Sequence, residues 1–274
     1  MPAPASPELE FAALSDTGLV REQNEDSVAV SAEYGLAVLA DGMGGYSAGE
    51  VASGIAVDII RQTVENRLRR RWHRLPRAGA MRQLLGGAIG LANSAILNTA
   101  RRRPEYAGMG TTIVAALFHH HHVVIAHAGD SRAYRLRDGA ILQLTRDHSL
   151  LQEQLDAGLI SAEEARVAEH KNLVTRAVGI EPALEVELHE HRIAAGDLYM
   201  LCSDGLSDLL PEPEIVELTL AAGSNLQQAV AALVQRANDH GGRDNISVIL
   251  ARVCAGPPAP ARSGLLGRLA ERIR

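Results

Sequence analysis

Tyr34-Gly-Leu-Ala-Val-Leu-Ala-Asp41-Gly42-Met43-Gly44-Gly45 runs a short apolar segment straight into an acid and a glycine-rich turn. The apolar part has the length and flanks of a buried strand. One carboxylate is thereby held at the end of a rigid element, and the glycines beside it, lacking Cβ atoms, let the backbone approach an ion or a phosphate closely. Alone, the same stretch also reads as an ordinary strand-to-helix turn with Asp as the cap. The rest of the chain has to decide.

Upstream, Leu9 to Ser15 reads as a strand, Asp16-Thr17-Gly18 as a turn, and Val20 to Asp26 as a loop that gathers three acids around Arg21. Ser27–Ala32 and Gly35–Ala40 form a hairpin pattern that carries Asp26 and Asp41 to the same end of a sheet. Downstream the period becomes helical. Val51, Ile55, Ile59 and Val64 fall near one face, and a second helix covers about Met81 to Ala100. The basic, Pro76-broken segment Arg69–Arg77 between them reads as an exposed connection, with docking as the alternative.

Strand patterns follow at 111–118, 123–128, 132–136 and 140–144, with Asp138-Gly139 as a hairpin turn. His119 to His122 lie in a tight turn between two of these, where consecutive residues cannot all converge on one ion. Ser149 to Ala168 reads as two short helices broken at Gly158, leading into Leu173–Gly179, and the whole has the character of a flap. Strands at 185–193 and 198–202, helices at 211–221 and 225–240, and a strand at 246–253 complete the order. This departs from βαβ alternation and predicts largely antiparallel sheets with helices packed outside.

The 274 residues, 46% hydrophobic, suit one large domain. With 2 Phe and 1 Trp, Ala, Val, Leu and Ile must fill its core. The expected boundaries are a disordered 1–8, a domain over 9–254 with its flap at about 149–179, and a Pro-rich linker with a short amphipathic segment over 255–274. A net charge of −6 and a pI near 6.0 argue against a nucleic-acid-binding surface over the whole protein, and the Arg clusters at 67–77 and 101–103 lack interleaved aromatics. Two cysteines are too few for a disulfide framework, the start lacks a signal-peptide pattern, and no apolar run is long enough to span a bilayer. A soluble protein of the reducing cytoplasm is the expectation.

The motif at Asp41 recurs. Leu198–Ser203 runs into Asp204-Gly205, Val123–Ala128 into Gly129-Asp130, and Gly241-Gly242-Arg243-Asp244 directly precedes the last strand. Four acids beside glycine at strand ends exceed what turn chemistry explains. Mg2+ and Mn2+ prefer such oxygen ligands and need few of them each, so a two-metal centre fits this supply. Such a centre activates water and stabilises the charge of a transferring phosphoryl group, and an arginine such as Arg21 can grip phosphate oxygens.

Arg21 with Asn24-Glu25-Asp26, Ala40–Gly45, Gly110-Thr111-Thr112, Gly129-Asp130-Ser131-Arg132, Ser203-Asp204-Gly205 and Asp244-Asn245-Ile246-Ser247 occur in that order over about Leu9 to Val253. In this the chain resembles the type 2C, metal-dependent serine/threonine protein phosphatases of bacterial type. The resemblance implies an α+β fold with a central antiparallel β-sandwich flanked by helices on both sides, in four αββα layers. It implies two Mn2+ or Mg2+ ions per site, with a third in many relatives, and hydrolysis of phosphoserine and phosphothreonine in proteins. Carried over by motif, Asp41 bridges the two metals, Gly42 offers its carbonyl, and Asp204 and Asp244 complete the first metal. Glu25 and Asp26 act through water, Arg21 holds the substrate phosphate, and Asp130 helps bind the third ion. A cognate serine/threonine kinase is the implied partner, with neither nucleic acid nor an integral membrane segment involved.

Met43 stands where animal members of that family carry a histidine thought to protonate the leaving group, so the general acid is left open. Water on the metal is preferred, and His148 reads as structural. Other classes fare worse. A cysteine-based phosphatase needs an arginine six positions after its nucleophile, where Cys202 has Asp208 and Cys254 has Pro260. Gly42-Met-Gly-Gly is no dinucleotide fingerprint, and no Gly-Lys-Ser/Thr loop exists. A calcium-binding structural domain would need a contiguous acidic loop. The remaining competitor is a catalytically silent, phosphatase-like module that binds a phosphoprotein or a kinase.

Overall fold

The structure, a computed structural model, describes residues 7–45, 48–71, 79–161, 164 and 173–255. Expectations for residues 1–6, for Trp72–Ala78 of the basic connection, for the second helix before Leu173, and for the 256–274 tail lie outside the described residues.

The chain begins with β1 (Glu8–Asp16), the hairpin β2 (Asp26–Ser31) and β3 (Leu36–Met43), and then two long helices, α1 (Ala48–Arg71) and α2 (Ala80–Arg102). Strands β4 (Gly110–Thr111), β5 (Ile113–His119), β6 (His122–Ala128), β7 (Arg132–Arg137) and β8 (Ala140–Gln143) follow, and then α3 (Leu150–Asp156). Strands β9 (Glu187–Arg192) and β10 (Leu198–Cys202) lead to α4 (Asp204–Ser207), α5 (Glu212–Ala221), α6 (Leu226–Asp239) and the closing strand β11 (Ile246–Ala255). One sheet has the order β1-β11-β10-β7-β8, and the other β2-β3-β5-β6-β9 with β4 paired to β3. The pairings within both sheets are antiparallel.

Strand alternation sorts the core into three layers. On β3, Leu36, Val38 and Ala40 face α1 and α2, while Ala37 and Leu39 face the other sheet. On β11, Val248 and Leu250 face α5 and α6, while Ile249 and Ala251 face inward. Side chains of successive strand residues point to opposite faces, so a strand segment covered on both sides must be apolar without a break, as Leu36–Ala40, Ile113–Phe118 and Val248–Ala251 are. Each fully buried Leu, Ile or Val contributes about 1.5–3 kcal/mol relative to exposure. Helix, sheet, sheet and helix are thus stacked in four layers, the α+β sandwich expected from the sequence.

Two details differ from expectation. The deepest line of α1 is Ala48, Ala52, Ala56, Ile60 and Val64, with Val51, Ile55 and Ile59 flanking it. Small residues spaced four apart let the helix lie close to its sheet, and hydrophobicity alone pointed to the larger neighbours. Second, Asp41 does not end its strand. β3 continues through Gly42 and Met43 because they pair with the two-residue β4, at Thr111 and Gly110.

Candidate active site

Asp26 and Asp41 face each other across the β2–β3 ladder, as the hairpin predicted. Asp204 follows β10 at the start of α4, Asp130 precedes β7, and Asp244 precedes β11, so five acids from distant parts of the chain converge at one end of the sandwich.

Backbone and hydroxyl groups hold the Asp41 segment. The Asp41 N–H donates to Thr112 Oγ1 at 3.1 Å, and its carbonyl accepts from Thr112 N and Thr111 Oγ1, both at 2.8 Å. Thr112 Oγ1 in turn meets Ser131 Oγ at 2.7 Å, tying the Gly110-Thr-Thr motif to the Asp130 loop. Gly42 N donates to the Glu25 carbonyl at 3.1 Å. A Cβ on Gly42 would lie 2.2 Å from the Gly49 carbonyl oxygen, so only glycine lets these backbones meet.

Asn245 knots the other side. Its Oδ1 accepts from Glu25 N at 2.8 Å, and its Nδ2 donates to the carbonyls of Thr17 and Gln23, each at 2.9 Å. Ser203 Oγ donates to Asp26 Oδ2 at 2.9 Å and accepts from Ser247 N at 3.0 Å. Asn245, Thr111, Thr112, Ser203 and Ser247 had no role assigned from sequence. Only Asn245 and Ser203 carried a local signal, a polar side chain directly beside an acid at a strand end.

The acids repel one another. Burial, followed by the charges of Asp26, Asp204, Asp130 and Asp244, holds the Asp41 carboxyl well above the ordinary carboxylate range. Burial and then Asp130 and Asp244 push Asp204 up to about 8. Asp26 rises to about 6 by burial despite its serine partners, and Asp130 to about 6 by burial and the nearby Asp147. Burial also raises Glu25. Asp26 Oδ1 is buried and accepts no hydrogen bond among the described residues. Such an arrangement suits divalent cations, which replace lost hydration and offset the repulsion. Arg21 stands at the rim, its side chain 52% exposed and its Nη2 2.7 Å from Asp244 Oδ2.

A second cluster lies behind the first. His127, His148 and Glu187 bring ligand-type atoms within 4.8 Å of one another. The two imidazoles are stacked, however, with centroids 4.6 Å apart and planes 13° from parallel, so an ion in the plane of one ring lies well out of the plane of the other. His148 Nδ1 also accepts from Gly129 N at 3.2 Å, which leaves the ring proton on Nε2, facing Glu187. This is a hydrogen-bonded cage. With both ring nitrogens engaged, His148 holds the structural place expected of it.

The family model described as Protein phosphatase 2C matches residues 20–251. The chain is 39% identical to the serine/threonine protein phosphatase PstP of Mycobacterium tuberculosis over 89% of its own length, although it spans only 45% of that relative. It is 37% identical to the serine/threonine phosphatase stp of Listeria monocytogenes, covering 86% of this chain and 92% of the relative. A crystal structure of the catalytic domain of PstP in complex with two manganese ions superposes with a TM-score of 0.78 at 38% identity, covering 89% of this chain and 97% of that one. Stp1 of Staphylococcus aureus gives a TM-score of 0.81 at 34% identity, covering 92% and 97%. Among the described residues no helix is long and apolar enough to cross a membrane.

Proposed function

This chain belongs to the protein phosphatase 2C family, and on that premise we propose that it is a metal-dependent hydrolase of phosphoserine and phosphothreonine in proteins. The observation that carries the reading is the convergence of Asp26, Asp41, Asp130, Asp204 and Asp244 at one end of the sandwich, each of the other four raising the pKa of Asp41 by its charge.

In this reading Asp41, Asp204, Asp244 and the Gly42 carbonyl would hold the Mn2+ or Mg2+ ions, and Glu25, Asp26 and Asp130 would complete the acidic surroundings of the site. The bound ions supply an activated water and offset the charge on the phosphoryl group. The protein orients and binds. Thr111 and Thr112 fix the backbone at Asp41, Ser203 keeps one oxygen of Asp26 aligned, and Asn245 holds Glu25 against Gly42. Arg21 presents a planar, permanently charged fork to the phosphate, and its contact with Asp244 keeps it aimed at the site. A phosphate on Ser or Thr is placed by a kinase, so a serine/threonine kinase acting on the same proteins is the partner this chemistry requires.

The test is hydrolysis of p-nitrophenyl phosphate and of a phosphothreonine peptide with Mn2+, with Mg2+ and with EDTA, beside Asp41→Asn and Asp204→Asn. Turnover that needs the metal and disappears in both variants supports the reading. A folded protein without turnover under any metal would point to the silent binding module.

A further inference from the structure

His148 stands between the acid cluster and the base of the 149–179 stretch, 6% exposed. Its backbone N–H donates to the Gly129 carbonyl at 3.0 Å, and its Nδ1 accepts from Gly129 N at 3.2 Å. Both polar backbone groups of Gly129 are therefore held by one residue. The ring cannot turn to offer the other edge. Nε2 lies 3.1 Å from Glu187 Oε2, a carboxylate that only accepts, and His189 Nε2 occupies the other Glu187 oxygen at 2.5 Å. The His127 ring stacks on His148 and is itself held by the Arg146 carbonyl at 2.8 Å from its Nε2.

Gly129 is pinned on its other side too. Its φ of +112° lies where side chains are strained, and a Cβ there would fall 2.7 Å from Thr112 Cβ. Thr112 is the residue that holds the Asp41 backbone. Asp130, next in the chain, leaves a residue gripped from both sides.

We propose that His148 is a positioning residue that sets the Asp130 carboxylate for a divalent cation, through its two-way clamp on Gly129 and with its tautomer fixed by Glu187. The inference rests on the reading of Asp130 as a cation ligand. The residues beside it are paired as well: the His148 carbonyl accepts from Thr175 N at 2.8 Å, Leu150 N donates to the Leu173 carbonyl at 2.9 Å, and Ser149 bridges Val174.

The experiment is a Mn2+ binding isotherm of the full chain, read by calorimetry and by the electron paramagnetic resonance of free Mn2+, for the parent protein, Asp130→Asn, His148→Asn and His148→Gln. Asn can place a carbonyl oxygen where Nδ1 accepts from Gly129, whereas Gln carries its polar group out toward Glu187. The expected result is a weak class of Mn2+ sites lost in Asp130→Asn, weakened about tenfold in His148→Gln and largely kept in His148→Asn, with the tighter sites unchanged in all three, as for removal of an outer hydrogen-bond partner. Equal weakening in both His148 variants would reveal a packing role and overturn the proposal, as would no weakening in either or collapse of the tight sites. A weak class that survives Asp130→Asn would remove the assignment of Asp130 itself, a different failure visible in the same isotherms.

Discussion

Strand β10 carries a buried acid at each end, and the two are treated in opposite ways. Asp197, before the strand and 1% exposed, takes Arg137 Nε at 2.5 Å and Nη2 at 2.6 Å and the Ala194 N–H at 2.8 Å. Asp204, after it, is raised to about 8 by burial and by other carboxylates. Burying a charge is tolerated where partners replace water and is costly where like charges surround it. The first end is matched by a cation of the protein itself, whereas the second is crowded by like charges, which the proposed function offsets with metal ions.

The largest effect expected from this contrast is on turnover. Asp41→Asn should lower kcat for p-nitrophenyl phosphate by about a thousandfold or more, because it removes a charged ligand from the site where transition-state charge is offset. Steady-state kinetics in saturating Mn2+ checks this, and a loss under tenfold would break the proposed role. Next, Asp197→Ala should destabilise the fold by about 2 kcal/mol, mainly by leaving the Ala194 N–H without its acceptor, since the Arg137 side chain is 36% exposed and can be rehydrated, while p-nitrophenyl phosphate turnover of the folded fraction persists. Urea denaturation with parallel assays measures both.

Asp204→Asn should act in the reverse sense, stabilising the metal-free protein by about 2 kcal/mol while abolishing the gain that Mn2+ confers on the parent. Denaturation midpoints in EDTA and in Mn2+ decide it; destabilisation of both Asp197→Ala and Asp204→Asn in EDTA would erase the contrast between the two ends. The gentlest test is pH. Asp26 and Asp130 are raised to about 6 and Asp204 to about 8, while an unfolded carboxyl titrates near 4. The folded, metal-free protein therefore binds more protons than the unfolded chain between about pH 4 and pH 8. Its stability should fall as pH rises through that window, by about 1.4 kcal/mol per unit for each carboxyl that is protonated in the folded state alone, and most steeply below about pH 6, where Asp26, Asp130 and Asp204 all contribute. Bound Mn2+ keeps the carboxylates ionised and should flatten the slope.

The sequence exposed the acids more readily than their setting. Asp41, Asp130, Asp204 and Asp244 each carry a local signature of apolar strand, glycine and acid, and the continuous apolar run Leu36–Ala40 already read as a buried strand. Asp197 carries Gly196 before it and a strand after it, yet it belongs to an ion pair, because Arg137 is sixty residues away and invisible to local pattern. The Asn245 knot, the serine pair at 203 and 247, and the cage of His127, His148 and Glu187 were hidden for the same reason. Each joins residues that only the sheet order brings together. The alanine line of α1 escaped notice because closeness of approach, rather than hydrophobicity, selects it.

Strand β1 has β11 as its one neighbour in its sheet, and β11 lies between β1 and β10. A growing polypeptide thus cannot seat its first strand until its last has been made, and the longest-range pairing of the domain is also the one that closes its sheet. Asp204 and Asp244 arrive with that same late portion. On the proposed function, a chain cut short before Asp204 lacks two of the five converging acids as well as the strand that seats β1, so the site is completed only with the end of the domain.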